Sequence, residues 1–526
     1  FNSASGAATV SGNVTLANNA TVGVGSLGDL SIGGVISGAY DLTVSGAGTL
    51  TLTGANSYSG ETNLSAVDTV LVIADDTPGS NGYSFAGSGQ VRIEPVSTSF
   101  SAAIDSGDWT FASTLSGLTI GKTGNTADIT VSGALTVAGA IQLYGGDIDL
   151  DAGLDTRAGA STAAIDLRAT GSVTQAAGVV VRTDGANITY GSDVDDLNGG
   201  AITLGVAAKV LTAGGDVLLS GGSDLTTGYA IGTVSHGLTL NRATIESGAG
   251  NVTLRGQGIG DGYGVYLAGN TTQVASDPGA TIQTTTGNIT IDAVAGSTTG
   301  LIMNRGNANI TTTDGNIQIT SDGTVDIGRL DDNAGNNPIV SSSGSGTIDI
   351  VTTTGGFTLN SSIIQVNDGN MTIQSAGGLS QIWGGRYRSL GTGNIVVTAS
   401  GIASLGNNPN IEGAIYSSGS GDVSVTASEI RLAGAVDAAA DVTFNSPVVL
   451  TSASGAVAID ASTATFVSTV DGAKTLQVNG NAVFTGAVGA TTPLTSLTVS
   501  GTSDIDGGQV RTTGAQTYSG AVTLGA

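Results

Sequence analysis

The sequence predicts an all-β fold, a right-handed parallel β-helix (β-solenoid) forming one elongated rod. Three observations predict it. One short phrase recurs along the chain: Gly, a small polar residue, then apolar–polar–apolar. No run of helical period and useful length separates the copies. Strand formers persist to the last residue, beside 85 Gly and only 4% aromatic residues, which suits a narrow core of small side chains. Each phrase reads as a tight turn followed by a short β-branched strand of period two. Repeated short strands of this kind stack as coils. Crossovers between parallel strands set the right hand.

Taken in order, the phrase stands at residues 12–16 and 48–52, and again at 250–254, 287–291, 315–319 and 346–350. It returns at 369–373, 393–397 and 421–425. The step is 28 residues from Ile289 to Ile317 and from Ile395 to Val423, 19 from Val423 to Val442, and 15 from Val442 to Val457. Longer steps read as whole turns of the coil and the shorter ones as two faces of one turn. That predicts roughly 19–28 residues and two or three strands per turn. About 20–26 such turns at the ~4.8 Å strand spacing would extend roughly 95–125 Å.

The whole of 1–526 reads as one continuous solenoid. A longer repeat supports this: Gly-Asn-Asn-Pro at 335–338 and 406–409 is followed by Ser-Ser-Gly-Ser-Gly at 342–346 and 417–421. The second copy has a longer spacer, as expected when a loop grows on one face of a stack. Three stretches break the rhythm. Residues 74–115 read as an irregular, aromatic-containing insertion, with Pro78, Tyr83, Phe85, Pro95, Phe100, Trp109 and Phe111. Residues 256–305 are irregular too, and 376–392 read as a protruding loop.

The net charge is −26, with 15 basic residues and no basic stripe. Nucleic acid is therefore not an expected partner, and an anionic membrane surface is disfavoured. Acidity on a Thr/Ser-rich surface keeps a long β-object soluble and apart from its neighbours. The absence of Cys excludes disulfides and thiolate chemistry, and is compatible with export through an oxidising compartment. No direct membrane insertion is expected of this segment. Opening on Phe1 and stopping in mid-phrase at Ala526, the chain reads as a piece of a longer protein.

Chemistry-bearing residues are few. His236 is the single histidine, and nothing near it in sequence builds a Ser/His/Asp triad. Zinc needs several His or Cys ligands, which the chain lacks. Asp193, Asp195 and Asp196 resemble a calcium loop, but Leu197 stands where an oxygen ligand is wanted and no Glu closes the loop. Solvated turns are the expectation for them and for Asp75-Asp76 and Asp331-Asp332, with calcium as the alternative; no other cofactor is expected. The glycine-dense residues 256–264 lack the helix that a dinucleotide fingerprint must open. Asn-x-Thr/Ser triplets at Asn13, Asn251, Asn288 and Asn370 match the glycosylation pattern, yet they are the repeat phrase itself. Trp383, Arg386, Tyr387 and Arg388 are the binding candidates, an aromatic plate with two guanidinium groups suited to a sugar ring or an acidic glycan.

Two stretches resemble surface-protein repeats. Residues 46–62, GAGTLTLTGANSYSGET, resemble the autotransporter-associated β-strand repeat. Residues 491–524, from Thr-Thr-Pro-Leu-Thr-Ser-Leu-Thr-Val through Thr-Tyr-Ser-Gly-Ala-Val-Thr-Leu, resemble repeats of filamentous-haemagglutinin-like adhesins. The resemblance implies a right-handed parallel β-helix, export across a Gram-negative outer membrane, and display on the cell surface or as a secreted fibre. The expected function is therefore a non-catalytic extracellular stalk or fibre, serving in cell adhesion, as matrix or as a tether. Expected partners are further copies of the chain, end to end or side by side, or host and cell-surface glycans and proteins. The alternatives are a carbohydrate-binding surface module, or a polysaccharide lyase or hydrolase on the same fold.

Overall fold

The computed structural model describes residues 2–66, 68–76, 82–159, 163–269, 279–304, 307–328, 338–406 and 414–525. The fold is all-β: short parallel strands wound as a β-helix, without a closed barrel. Among the described residues a single 3-10 turn, Ser106–Asp108, is the helical content. No helix among them is long and apolar enough to cross a membrane. The chain divides into two compact units, Phe1–Gly256 and Gln257–Ala526.

In the first unit the period-two pattern becomes a column. Val91, Leu118, Ile141, Ile165, Ile188, Val217 and Val252 pair in parallel register, coil on coil. All are buried. A second column on another face runs Ile104, Ile129, Ile148, Val173, Ile202 and Leu238. A third runs Leu135, Leu154, Val181, Val210 and Ile245. A coil such as Ile188–Ser192, Ile202–Leu204, Lys209–Leu211 therefore contributes three strands. Every second residue of a strand enters the interior because successive side chains point to opposite faces. Each fully buried aliphatic side chain contributes about 1.5–3 kcal/mol.

The second unit repeats the plan. Its column runs Ile289, Ile317, Ile348, Met371, Ile395, Val423, Val442 and Ala464. Steps of 28 and 19 residues are whole coils, as the spacing predicts. The 15-residue step is not a turn: Val442 pairs with Ala464, whereas Val457 pairs with Leu476. Some coils are longer than the expected range, since Val217 pairs with Val252. The extra residues form surface excursions between strands. Further along, Phe444, Phe466 and Phe484 stack with ring centroids 5.3 and 5.1 Å apart.

Two irregular stretches turn out to be wall. Within 74–115, Ser84–Gly87, Gln90–Glu94 and Thr110–Phe111 are ladder strands. Tyr83, Phe85, Phe100 and Trp109 are buried. Phe85 stacks on Phe111 at 5.4 Å, and Trp109 meets Phe111 edge-on at 6.3 Å. Aromatic rings here take the inward positions that Val, Ile and Leu hold elsewhere, so this is not an insertion; Pro78 lies outside the described residues. Likewise 376–392 is not a protruding loop. Leu379–Ile382 and Arg386–Ser389 are ladder strands joined by a tight corner. Residues 258–264 form a turn leading into strand Val265–Ala268, with no helix.

Candidate functional site

The repeat phrase is a coil-to-coil fastening. In the second unit Asn288 Oδ1 accepts the backbone N–H of Asn316 at 2.9 Å, and Asn316 Oδ1 accepts that of Thr347 at 2.9 Å. Asn370 Oδ1 takes Asn394 N–H at 3.0 Å, and Asp422 Oδ1 takes Asp441 N–H at 3.2 Å. The first unit holds the same device: Asn187 Oδ1 accepts from Asp216 at 2.9 Å and Asp216 Oδ1 from Asn251 at 2.7 Å. These bonds satisfy turn amides that the strand ladders leave open. Asn288 and Asn370 of the glycosylation-like triplets are such rungs. Ala186 precedes Asn187, but a glycine precedes the other rungs, and the close approach of the coils explains it. A Cβ on Gly393 would lie 1.8 Å from Gly369 O, and one on Gly421 2.0 Å from Gly393 O. Just ahead, a buried hydroxyl closes the turn: Thr284 Oγ1 donates to Gly287 O at 2.6 Å and Ser417 Oγ to Gly421 O at 3.0 Å.

The three aspartates of the 193–199 excursion each accept from a different backbone amide. Asp193 sits in the left-handed region, φ +51°, and is nearly buried. Its Oδ1 accepts Gly199 N–H at 3.1 Å. Burial pushes its carboxyl up from the ordinary value, partly opposed by the Asn198 and Gly199 amides. Asp195 Oδ1 accepts Leu197 N–H at 3.3 Å. Asp196 Oδ1 accepts Ser223 N–H from the next coil at 3.0 Å, and its bonds from Ser223 hold its carboxyl low. They act as turn acceptors and do not converge. Among the described residues no group of three or more His, Cys, Asp or Glu could hold a metal ion. Asp76 is a similar acceptor, taking Ser97 N–H at 2.9 Å; Asp331-Asp332 lie outside the described residues. His236 is half-buried, and desolvation lowers its pKa.

The four residues of the sequence-predicted glycan site do not share a surface. Tyr387 is fully buried, and desolvation pushes its phenol well up. It belongs to the core, because in Arg386–Ser389 the period of two turns residue 387 inward and both arginines outward. Arg388 lies over the Tyr416 ring, 5.6 Å from its centroid, one coil on. Trp383 is 52% exposed at the corner after Leu379–Ile382, at φ +51°. The same corner on other coils of this unit is Gly328, Ser361 and Gly406, all at positive φ. A bulky side chain at such a corner is unusual.

The polar concavity that local reading missed lies in the first unit. Strands Gln90–Glu94, Gly117–Ile120, Ala140–Gly145 and Ile165–Ala169 pair in register, so Arg92, Thr119, Gln142 and Asp166 form one outward row. Tyr144 and Arg168 are neighbours in the next row. Two open clefts, of about 300 and 310 Å³, share Lys122, Thr123 and Tyr144 as a common wall. Lys122 Nζ is fixed by Pro95 O at 2.8 Å. Arg168 Nε donates to Asp166 Oδ1 at 2.8 Å, and Arg92 is ion-paired with Glu94. The 193–199 excursion supplies an end wall through Val194, with Ser223 beside it. Burial raises the Tyr144 phenol, with Asp166 adding and Arg168 opposing. Partners on adjacent coils stand 23 to 27 apart in the chain, so only the coil register brings them together.

Against this geometry, residues 42–66 match the passenger-associated transport repeat, a repeat found in autotransporter passenger domains. The match contains strands Leu42–Ser45, Thr49–Leu52 and Thr62–Leu64. Within the match, Asn56 and Gly60 join neighbouring coils and Tyr58 braces its own coil. Asn56 is buried and accepts Ile36 N–H at 2.8 Å, Tyr58 OH and Thr62 Oγ1 share a bond of 2.7 Å, and a Cβ on Gly60 would meet Tyr40 O at 2.2 Å. Searches among curated proteins and among solved structures return no match.

Proposed function

We propose that this chain is a non-catalytic segment of an autotransporter-type passenger, displayed on or released from a Gram-negative cell, that serves as an adhesin stalk or a fibre-forming structural element. The observation that carries this reading is the transport repeat at 42–66, whose Asn56 and Gly60 perform the same coil-joining task as the Gly-Asn rungs elsewhere. The polar side chains of the repeat phrase hold a backbone in register. Extension, presentation and self-association are what such a body offers. Its partners are then other copies of the chain or surface glycans and proteins.

Electron microscopy and an adhesion assay on the purified chain test the reading together. Single particles of fixed length that bind cells when coated on beads support the stalk. Filaments of indefinite length support the fibre. Release of reducing ends from polysaccharide substrates, abolished by replacing one carboxylate, overturns the non-catalytic assignment.

A second reading is favoured by Trp383. A half-exposed indole held where other coils use Gly or Ser costs conformational energy, which makes sense for a contact residue. In this version the corner at Trp383 touches a glycan or a protein partner.

A further inference from the structure

We infer that the cleft around Tyr144, Lys122 and Arg168 in the first unit binds a short stretch of acidic polysaccharide. Five features of the cleft point there.

The first is charge. Arg92, Lys122 and Arg168 meet Glu94 and Asp166 among the lining residues, with Asp196 behind the Ser223 wall, so the cleft's charges balance in a chain of net charge −26. At physiological ionic strength the Debye length is about 8 Å, so the cleft's own charges govern a bound group. Three cations set among as many acids suit isolated carboxylates along a sugar chain and are too few for a nucleic-acid backbone.

The second is donor geometry. Arg168 gives its Nε to Asp166, and its terminal nitrogens bond none of the described residues. A guanidinium held in this way is preset to receive a carboxylate in a forked geometry. Asp166 orients the arginine and keeps it in place.

The third is the platform. The half-buried ring of Tyr144 lies in the wall common to both clefts. An aromatic ring with an apolar body and a polar tip matches the mixed faces of a sugar. Gln142 and Thr119, joined at 3.3 Å, add hydrogen-bonding groups in the adjoining row.

The fourth is shape. The lining residues come from six successive coils, the strands from Gln90–Glu94 to Val217–Gly221. With coils about 4.8 Å apart, the cleft is a furrow for an extended ligand. It is open to solvent, as an interior part of a long chain requires.

The fifth is construction. Lys122 is pinned by the carbonyls of Pro95 and Val96, and the far wall is clasped by the Asp196–Ser223 bond. The walls are therefore built by hydrogen bonds between coils rather than by free loops.

The inference rests on the passenger reading only for access to glycans outside the cell. Calorimetric titration of the intact chain with tetragalacturonate, maltotetraose and tetraglutamate tests it. Tetragalacturonate should bind, and more weakly as salt rises. Arg168→Gln and Tyr144→Ala should each weaken binding at least tenfold while the melting temperature stays within the usual range for surface changes. Gln142→Ala, which removes an outward amide and its bond from Thr119, should weaken binding several-fold. No binding of tetragalacturonate, equal binding of maltotetraose or tetraglutamate, or unchanged affinity in folded Arg168→Gln and Gln142→Ala overturns the assignment. Any of these leaves the stalk or fibre reading standing, whereas reducing-end release overturns that reading and not the binding.

Discussion

Asn394 Oδ1 accepts the backbone N–H of Asp422, one coil further on, at 2.8 Å. The same asparagine gives its own N–H to Asn370 Oδ1, so each rung both gives and receives. The repeated Gly-Asn is thus a structural device, and its energetics can be tested one residue at a time.

Asn394→Ala leaves the Asp422 amide without its acceptor. The expected loss is about 1 kcal/mol. Asn394→Asp keeps an acceptor oxygen and should cost less. Amide hydrogen exchange checks this: protection of Asp422 should fall in the alanine variant and largely survive in the aspartate variant. Equal protection in wild type and Asn394→Ala would remove the rung from the account.

Gly393→Ala should be more damaging, because the new Cβ would lie 1.8 Å from Gly369 O. Backbone cannot move aside there without disturbing two coils, so the expected cost is about 3 kcal/mol. Gly12→Ala is the control, since a Cβ at Gly12 meets nothing within 4 Å and its φ is not left-handed. That change should stay within about 0.5 kcal/mol of neutral. Urea denaturation of both variants decides whether glycine serves close approach or mere flexibility.

Trp383→Gly should stabilise the second unit. The left-handed corner costs a bulky L-residue about 1–2 kcal/mol, and Gly328 and Gly406 hold the same corner without that cost. A higher melting temperature together with weaker adhesion would mark Trp383 as a contact residue. A lower melting temperature would show that the indole packs usefully on the flank.

Much of this was legible in the chain, for one physical reason: every coil poses the same turn and close-approach problem, so the demand for Gly and Asn recurs along the sequence. The columns through Ile289, Ile317 and Ile348 follow directly from it. The aromatic stretch misled because Phe85 and Phe111 hold inward ladder positions that aliphatic residues hold elsewhere. Tyr387 was not legible as core because adjacency in sequence is not adjacency on a surface: period two puts residues 386 and 388 on one face and 387 on the other. The cleft at Tyr144 had no local signal. Its residues meet only when coils of different length are laid in register.

Asp149 gives a test in pH. Burial raises its carboxyl above the ordinary value, and repulsion from Asp147 adds to this, with Asp151 and Asp128 behind. A carboxyl with a raised folded pKa binds more protons in the folded state, so its charge costs stability above that pKa and nothing below the unfolded value of about 3.9. Asp149→Asn should therefore raise the melting temperature at pH 7, with the gain shrinking as pH falls through the range just above 4 and vanishing by pH 3. An equal gain at pH 3 would assign the effect to packing instead of charge.

The stacking of coils in register is most directly tested by pairs of cysteines, since the chain has none of its own. Thr372 and Val396 are outward partners on adjacent coils, and Ser424 follows Val396 on the next. Adjacent partners lie about 4.8 Å apart and next-but-one partners about twice that. Dibromobimane, which fluoresces only when it bridges two close thiols, should light up the Thr372→Cys/Val396→Cys protein and leave Thr372→Cys/Ser424→Cys dark. Fluorescence from the second pair and silence from the first would contradict the coil register, and with it the whole account.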